Sequence, residues 1–309
     1  IEHNIFDSVI VDVLPKLYLD ENNVDASIKL FEKLIEHQPE NEHFFKILAE
    51  LHKNKGNFKQ AVDIMSNLVE KSPQFLNEAC MMLENILAKH SREFDIRETL
   101  ILFYIKLCKP NESLFHLERL CQLNLSFKNK ATEFYKKLLE SFHSEYHINC
   151  SYVQHLIELE LFTDAINQLE LFYDNYKQHQ PFIEATLTKI LKLNSSHQLS
   201  ILHYIDLALK KNDFSAIKQW VDHCFSLKDI PSAELISRLN TAISQGSIEV
   251  DYFEYQCAKL YYLNNNLDTA LSYCELTRHF CLEKEKLKLT ILIDQKNYSI
   301  ATKICLDLI

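Results

Sequence analysis

The chain has 309 residues with 43 acidic and 33 basic side chains, a formal net charge of -10, and it is 47% hydrophobic and 11% aromatic. That apolar content excludes disorder, and the acidic balance works against nonspecific binding to DNA, RNA or an anionic bilayer. Gly56 and Gly246 are the only glycines. Phosphate loops, nucleophile elbows and β-sandwiches need more of that residue, so an all-α chain is expected.

The nine cysteines are scattered and contain no CxxC pair. Most fall in apolar stripes, where a thiol packs as a small hydrophobe, and they read as reduced thiols in a cytoplasmic protein. No apolar run reaches the roughly 18 residues that would span a bilayer. The chain opens on Ile1-Glu2-His3-Asn4 and stops inside the apolar stretch Ile300 to Ile309, which suggests a piece of a longer polypeptide.

Taken in chain order, Pro39, Pro73, Pro110 and Pro181 are separated by 34, 37 and 71 residues, as in a helical array. Pro15 falls where a first helix is expected and should kink it. The turn Glu21-Asn22-Asn23 follows, then a helix carrying Val24, Ser27, Phe31 and Leu34. Next, Phe45, Leu48, Ala49 and His52 share one helix face. Gly56 and Asn57 stop that helix, and Ala61, Met65 and Leu68 make the facing stripe of its partner, with Pro73 ending the unit.

From 76 to 145 the helical periodicity continues and the small-residue signature is lost. It returns at Phe162, Ala165, Leu169 and Phe172, weakens at Phe214, Ile217 and Val221, and fades across 181–250. It is restored at Cys257, Ala258, Tyr261, Leu267, Ala270 and Cys274, and again at Tyr298, Ala301 and Cys305. The segment Glu283-Lys284-Glu285-Lys286 alternates in sign and reads as a solvated helix face. About 18 helices, or nine pairs over residues 1–309, are expected without a dividing linker, with bends favoured at 143–149 or 193–197.

A small residue, an aromatic three places on, an early alanine in the second helix and a closing proline together resemble the tetratricopeptide repeat, a helix-turn-helix unit of about 34 residues. The resemblance implies a right-handed α-solenoid of antiparallel helix pairs whose first helices line a concave face. Its implied role is a scaffold that holds a peptide or protein in that groove, with no catalysis of its own. The other reading is a sensory or regulatory segment of a larger enzyme or transcription regulator.

Residues off the packing stripe would line the groove: His43, Lys46, Glu50 and Lys53, then Tyr252, Tyr255, Lys259 and Tyr262. Tyrosines beside lysine suit peptide recognition, because aromatics give contact area at little entropic cost; the alternative is that Tyr255 or Tyr262 packs on a neighbouring helix. One subset of the family clamps a peptide carboxylate with lysines and asparagines. Here Asp12, Lys16, Lys46 and Glu50 stand at those places, so two carboxylates argue against that mode.

No catalytic site, cofactor or metal is expected. His143 and His147 have i, i+4 spacing but lack the adjacent glutamate of a metalloprotease helix. His223-Cys224 and His279-x-Cys281 lack an orienting third group. The expected partner is a protein or peptide, with neither direct nucleic-acid binding nor membrane insertion. Apolar faces at the array ends would permit self-association.

Overall fold

A computed structural model describes residues 23–175, 180–247, 249–276 and 282–307, without the side chains of 172–175, 180 and 307. Asp12, Pro15, Lys16, Tyr18, the turn at Glu21, the Phe172 side chain, His279 and Cys281 lie outside the described residues. Every described element is helical. In chain order they are α1 (Val24–His37), α2 (Glu42–Lys55), α3 (Phe58–Lys71), α4 (Leu76–Lys89), α5 (Phe94–Lys106) and α6 (Pro110–Leu123). Then come α7 (Lys128–Ser141), α8 (Tyr146–Glu158), α9 (Phe162–Asn175), α10 (Gln180–Leu193), α11 (Gln198–Lys211) and α12 (Phe214–Phe225). The last five are α13 (Ser232–Ser244), α14 (Val250–Leu263), α15 (Leu267–Glu275), α16 (Leu282–Asp294) and α17 (Tyr298–Asp307). Two compact units divide the chain, the first ending at His155 and the second starting at Leu156.

Two kinds of corner join the helices. One is tight: Gly56, Cys108, Glu160, Asn212, Asn265 and Lys296 have φ between 54° and 83°, the left-handed conformation that ends a helix. At each, the next amide reaches back over a full turn, as in Asn57 N to His52 O at 2.8 Å and Asp213 N to Ala208 O at 2.9 Å. Gly56 takes this shape freely, whereas the other five carry a Cβ there at a cost. The second kind of corner is longer and includes the 3-10 turns Pro73–Phe75 and Leu125–Phe127.

These corners reveal the true period. The helices α2, α5, α8, α11 and α14 begin at 42, 94, 146, 198 and 250, in steps of 52 residues. Each is followed through a tight corner by a second helix and then by a third, so the unit is a three-helix module, here named A, B and C. A and B form a tight hairpin, and C follows it. The final pair, α16 and α17, departs from this pattern by joining through the tight corner at Lys296.

Buried positions keep the same step. On the A helices Ala49, Ile101, Val153, Ile205 and Cys257 are all fully buried, 52 residues apart. On the C helices Phe31, Leu83, Tyr135, Leu187, Leu239 and Ile291 are buried at the same interval. Each large side chain so buried contributes roughly 1.5–3 kcal/mol. Ala61, Ser113, Ala165 and Ala270 fill the corresponding B position, where a small residue lets the A and B axes approach. Ser113 is accommodated because its Oγ donates to Ile101 O at 2.9 Å.

The prolines do not mark this period. Pro39 lies in a C–A turn, Pro73 opens a 3-10 turn, Pro110 is the first residue of a B helix and Pro181 the second of a C helix. Nor is the small residue lost between 76 and 145, since Ala79, Ser113 and Ala131 are fully buried there. Small residues recur on both B and C helices, so Ser27, Ala61, Ala79, Ser113, Ala131 and Ala165 are spaced alternately by 34 and 18. The longer of these two steps, taken alone, gives the appearance of 34-residue units.

The A helix is strapped to the following C helix by ion pairs: Lys46 to Glu78 at 2.5 Å in one module, and Glu98 to Lys130 at 2.5 Å in the next. The positions are equivalent and the signs are reversed. A buried version closes the second unit, where Lys284, fully buried, donates to Glu254 Oε2 at 2.8 Å, with Asp251 Oδ1 at 3.6 Å. Lys284 is therefore not on the solvated face that its alternating neighbours suggest. It occupies the first turn of α16, against α14, and its paired carboxylate makes the burial tolerable.

Candidate functional site

On α2, the residues His43, Lys46, Ile47, Glu50, Leu51 and Asn54 line a depression of about 340 Å³. They follow one stripe because i, i+3, i+4 and i+7 share a helix face. Lys46 bonds Glu78 and places its ammonium 4.1 Å from the centre of the Phe75 ring. Glu50 is exposed and pairs with Lys53, which sits beside the depression rather than in its wall.

In the second unit, His203, Asp206, Leu207 and Lys210 of α11 line a larger cavity of about 650 Å³. These four are Ile47, Glu50, Leu51 and Asn54 carried forward by three periods. The same stripe of the A helix therefore opens outward in both units. One period further on α14 the stripe reads Tyr255, Ala258, Lys259 and Tyr262, which takes in three of the residues picked from the sequence.

Scanning for known families found no matching family model, and no curated protein matches. Among solved structures, a tetratricopeptide repeat protein from Parabacteroides merdae is 14% identical, covering 96% of this chain and 90% of that one, with a TM-score of 0.23. The P58(IPK) TPR domain is 14% identical over 94% of this chain and 89% of its own, at 0.25. Naa15/Naa10 bound to HypK-THB is 16% identical over 94% of this chain and 51% of that one, at 0.25. What the structure itself shows is antiparallel helix pairs closed by left-handed corners, with a small residue where the axes cross. The chain is an all-α array of helix hairpins.

Within this array the α14 residues make contacts to both sides. Tyr252 is half-buried, its hydroxyl donates to Asp222 Oδ1 at 2.5 Å, and Lys218 lies 4.8 Å from its ring centre. Burial first, then the Asp222 bond, pushes its phenol pKa up. Lys259 sits 4.1 Å from the Phe225 ring centre, again on α12. Tyr262 donates to Asp294 Oδ2 at 2.8 Å on α16, and that bond is the main cause of its raised pKa. Tyr255 is half-buried. These side chains serve the walls of the stripe as much as its opening.

His143 lies in a turn while His147 is in the first turn of α8, and among the described residues no group of three or more metal-ligating side chains gathers. His223 Nε2 lies 2.9 Å from Ser195 O, away from Cys224, whose thiol is fully buried with its pKa pushed up to about 11 by desolvation. Trp220 stacks on Tyr204, ring centres 4.9 Å apart, against the core. No described helix is long and apolar enough to cross a membrane.

The sequence offered no hint of a buried polar network in the first unit. His116 Nε2 lies 2.8 Å from Glu84 Oε1, Tyr104 donates to the same oxygen at 2.9 Å, and Arg97 Nη1 is 3.4 Å from His116 Nδ1. Arg97 also donates to Ser91 O, so the network is closed on itself. The His116 bond chiefly holds the Glu84 carboxyl below its ordinary range. Also missed were His203, Asp206 and Arg238, which lie in the stretch where the repeat signature fades. Only the 52-residue step, projecting the α2 stripe forward, would have found the first two.

Proposed function

We propose that this array is an interaction scaffold, holding a peptide or protein partner along the outward stripe of its A helices. The observation that supports it is the reopening of one stripe at equivalent positions of α2 and α11, each with apolar and charged residues mixed. Stacked helices preform such a face, so the receptor loses little freedom on binding. His43, Lys46, Glu50 and Lys53 serve the first unit, and Tyr252, Tyr255, Lys259 and Tyr262 the second. Buried, packed thiols at Cys80, Cys224, Cys257 and Cys274 support a reducing, cytoplasmic setting. A second copy of the chain is a competing occupant, which concentration-dependent sedimentation detects.

The test is retention of cellular partners by the intact protein and by the Tyr252→Ala/Tyr255→Ala variant, with helicity and unfolding midpoint measured on both. Loss of a partner in a folded variant is the expected result. Equal retention of every partner refutes the assignment of the face.

A further inference from the structure

The cavity on α11 has an apolar floor of Ile166 and Leu169 from α9, Ile183 and Leu187 from α10, and Leu207. Its carboxylates, Glu170 and Asp206, are balanced by Lys210 and Arg238. Arg238 Nη2 donates to Asp206 Oδ2 at 2.7 Å, and His203 Nε2 lies 2.9 Å from Glu170 Oε1. Two buried nitrogens nevertheless make no hydrogen bond, Arg238 Nε and His203 Nε2, the latter because the Glu170 oxygen is near but poorly aligned. A buried donor without an acceptor carries an unreturned desolvation cost.

This combination selects the guest. Two carboxylates and two cations balance in the lining, so neither a cationic nor an anionic ligand meets a net counter-charge. Burial lowers the His203 pKa, so the ring is favoured in its neutral form. The volume of about 650 Å³ is that of a cleft for a drug-sized group. What fits is an apolar side chain beside an uncharged acceptor.

Resting on the peptide-binding reading above, we propose that this cavity receives a leucine- or phenylalanine-type side chain of a partner peptide, flanked by a neutral acceptor. That acceptor is a main-chain carbonyl or an Asn or Gln amide. It takes hydrogen bonds from Arg238 Nε and His203 Nε2 once Glu170, whose side chain is 56% exposed, swings aside. Ser237 and Thr241, both exposed on α13, form the rim over which the peptide enters.

The experiment titrates the full chain with acetyl-Gln-Leu-Leu-Gln-amide and reads the Arg Nε–H and histidine side-chain resonances by NMR. Controls replace the leucines by alanine, or the glutamines by glutamate or by lysine. The neutral leucine peptide should give saturable shifts at Arg238 and His203, and bind about tenfold tighter than each control. Thr241→Trp, a rim change that plugs the opening, should abolish binding, and Arg238→Lys, which keeps the charge and deletes Nε–H, should weaken it about fivefold. Both variants are checked for unchanged helicity and midpoint. No saturable shift, a tighter charged or alanine peptide, or unaltered binding by either variant overturns the proposal. The Tyr252→Ala/Tyr255→Ala protein separates the two readings. If its partner is lost while the wild-type cavity binds no peptide, the face survives and the cavity falls. Peptide binding without any partner effect keeps the cavity and removes the face.

Discussion

Replacing Lys284 by methionine should be among the most damaging single changes in the second unit. Lys284 is fully buried and the Glu254 side chain only 6% exposed, with Asp251 one helical turn earlier on the same α14 face. Removing the ammonium leaves a buried carboxylate beside a second one, and breaking a buried pair in this way costs about 3–5 kcal/mol. For a unit of about 150 residues each kcal/mol moves the midpoint by roughly 2–4 °C, so a fall of roughly 6–20 °C is expected in thermal unfolding followed by circular dichroism. Lys284→Met/Glu254→Leu, which removes both charges, should recover most of the loss, since well-packed apolar pairs match or exceed buried ion pairs. A single variant within about 1 kcal/mol of wild type, or a double variant as unstable as the single, refutes the reasoning.

Three further outcomes are expected. Deleting residues 94–145, one whole period that rejoins Glu93 to Tyr146, should preserve helicity per residue and a cooperative transition, whereas deleting the 34 residues 94–127, which sets two C helices in succession, should not; calorimetry of both proteins decides this. Glu160→Gly and Lys296→Gly should each stabilise by up to about 1 kcal/mol in urea unfolding, because both residues hold a left-handed φ that glycine adopts without its Cβ clash. The folded-state pKa of Glu84 is depressed from 4.5, so its stabilisation is full above the unfolded value and lost as pH falls through the lowered folded one; unfolding midpoints between pH 7 and 3 should fall less steeply in Glu84→Gln.

What was legible in the sequence was local. Ala61, Met65 and Leu68 facing Leu48 and Ala49 across Gly56 announce a helix hairpin, and the structure has it. The third helix was not legible as a separate kind, because C helices use the same small residue early and large residue four places on, as in Ala79 and Leu83. Ile217 and Ile183 hid the pattern further by filling small-residue positions with a larger side chain. The stripe on α2 could be read from spacing alone. The cavity on α11 could not, since it needs residues from four helices brought together by packing. Lys284 misled for a related reason: alternating charge describes a solvated face only when no carboxylate waits across the interface.

Repeated modules invite threading errors, in which one copy docks where its neighbour belongs. The reversed straps Lys46–Glu78 and Glu98–Lys130 bear on that hazard. A slip by a single module sets lysine against lysine and glutamate against glutamate, turning two weak attractions into two repulsions. Polarity thus acts as a lock-keeper for assembly order, and copies that share a backbone shape are still not interchangeable parts.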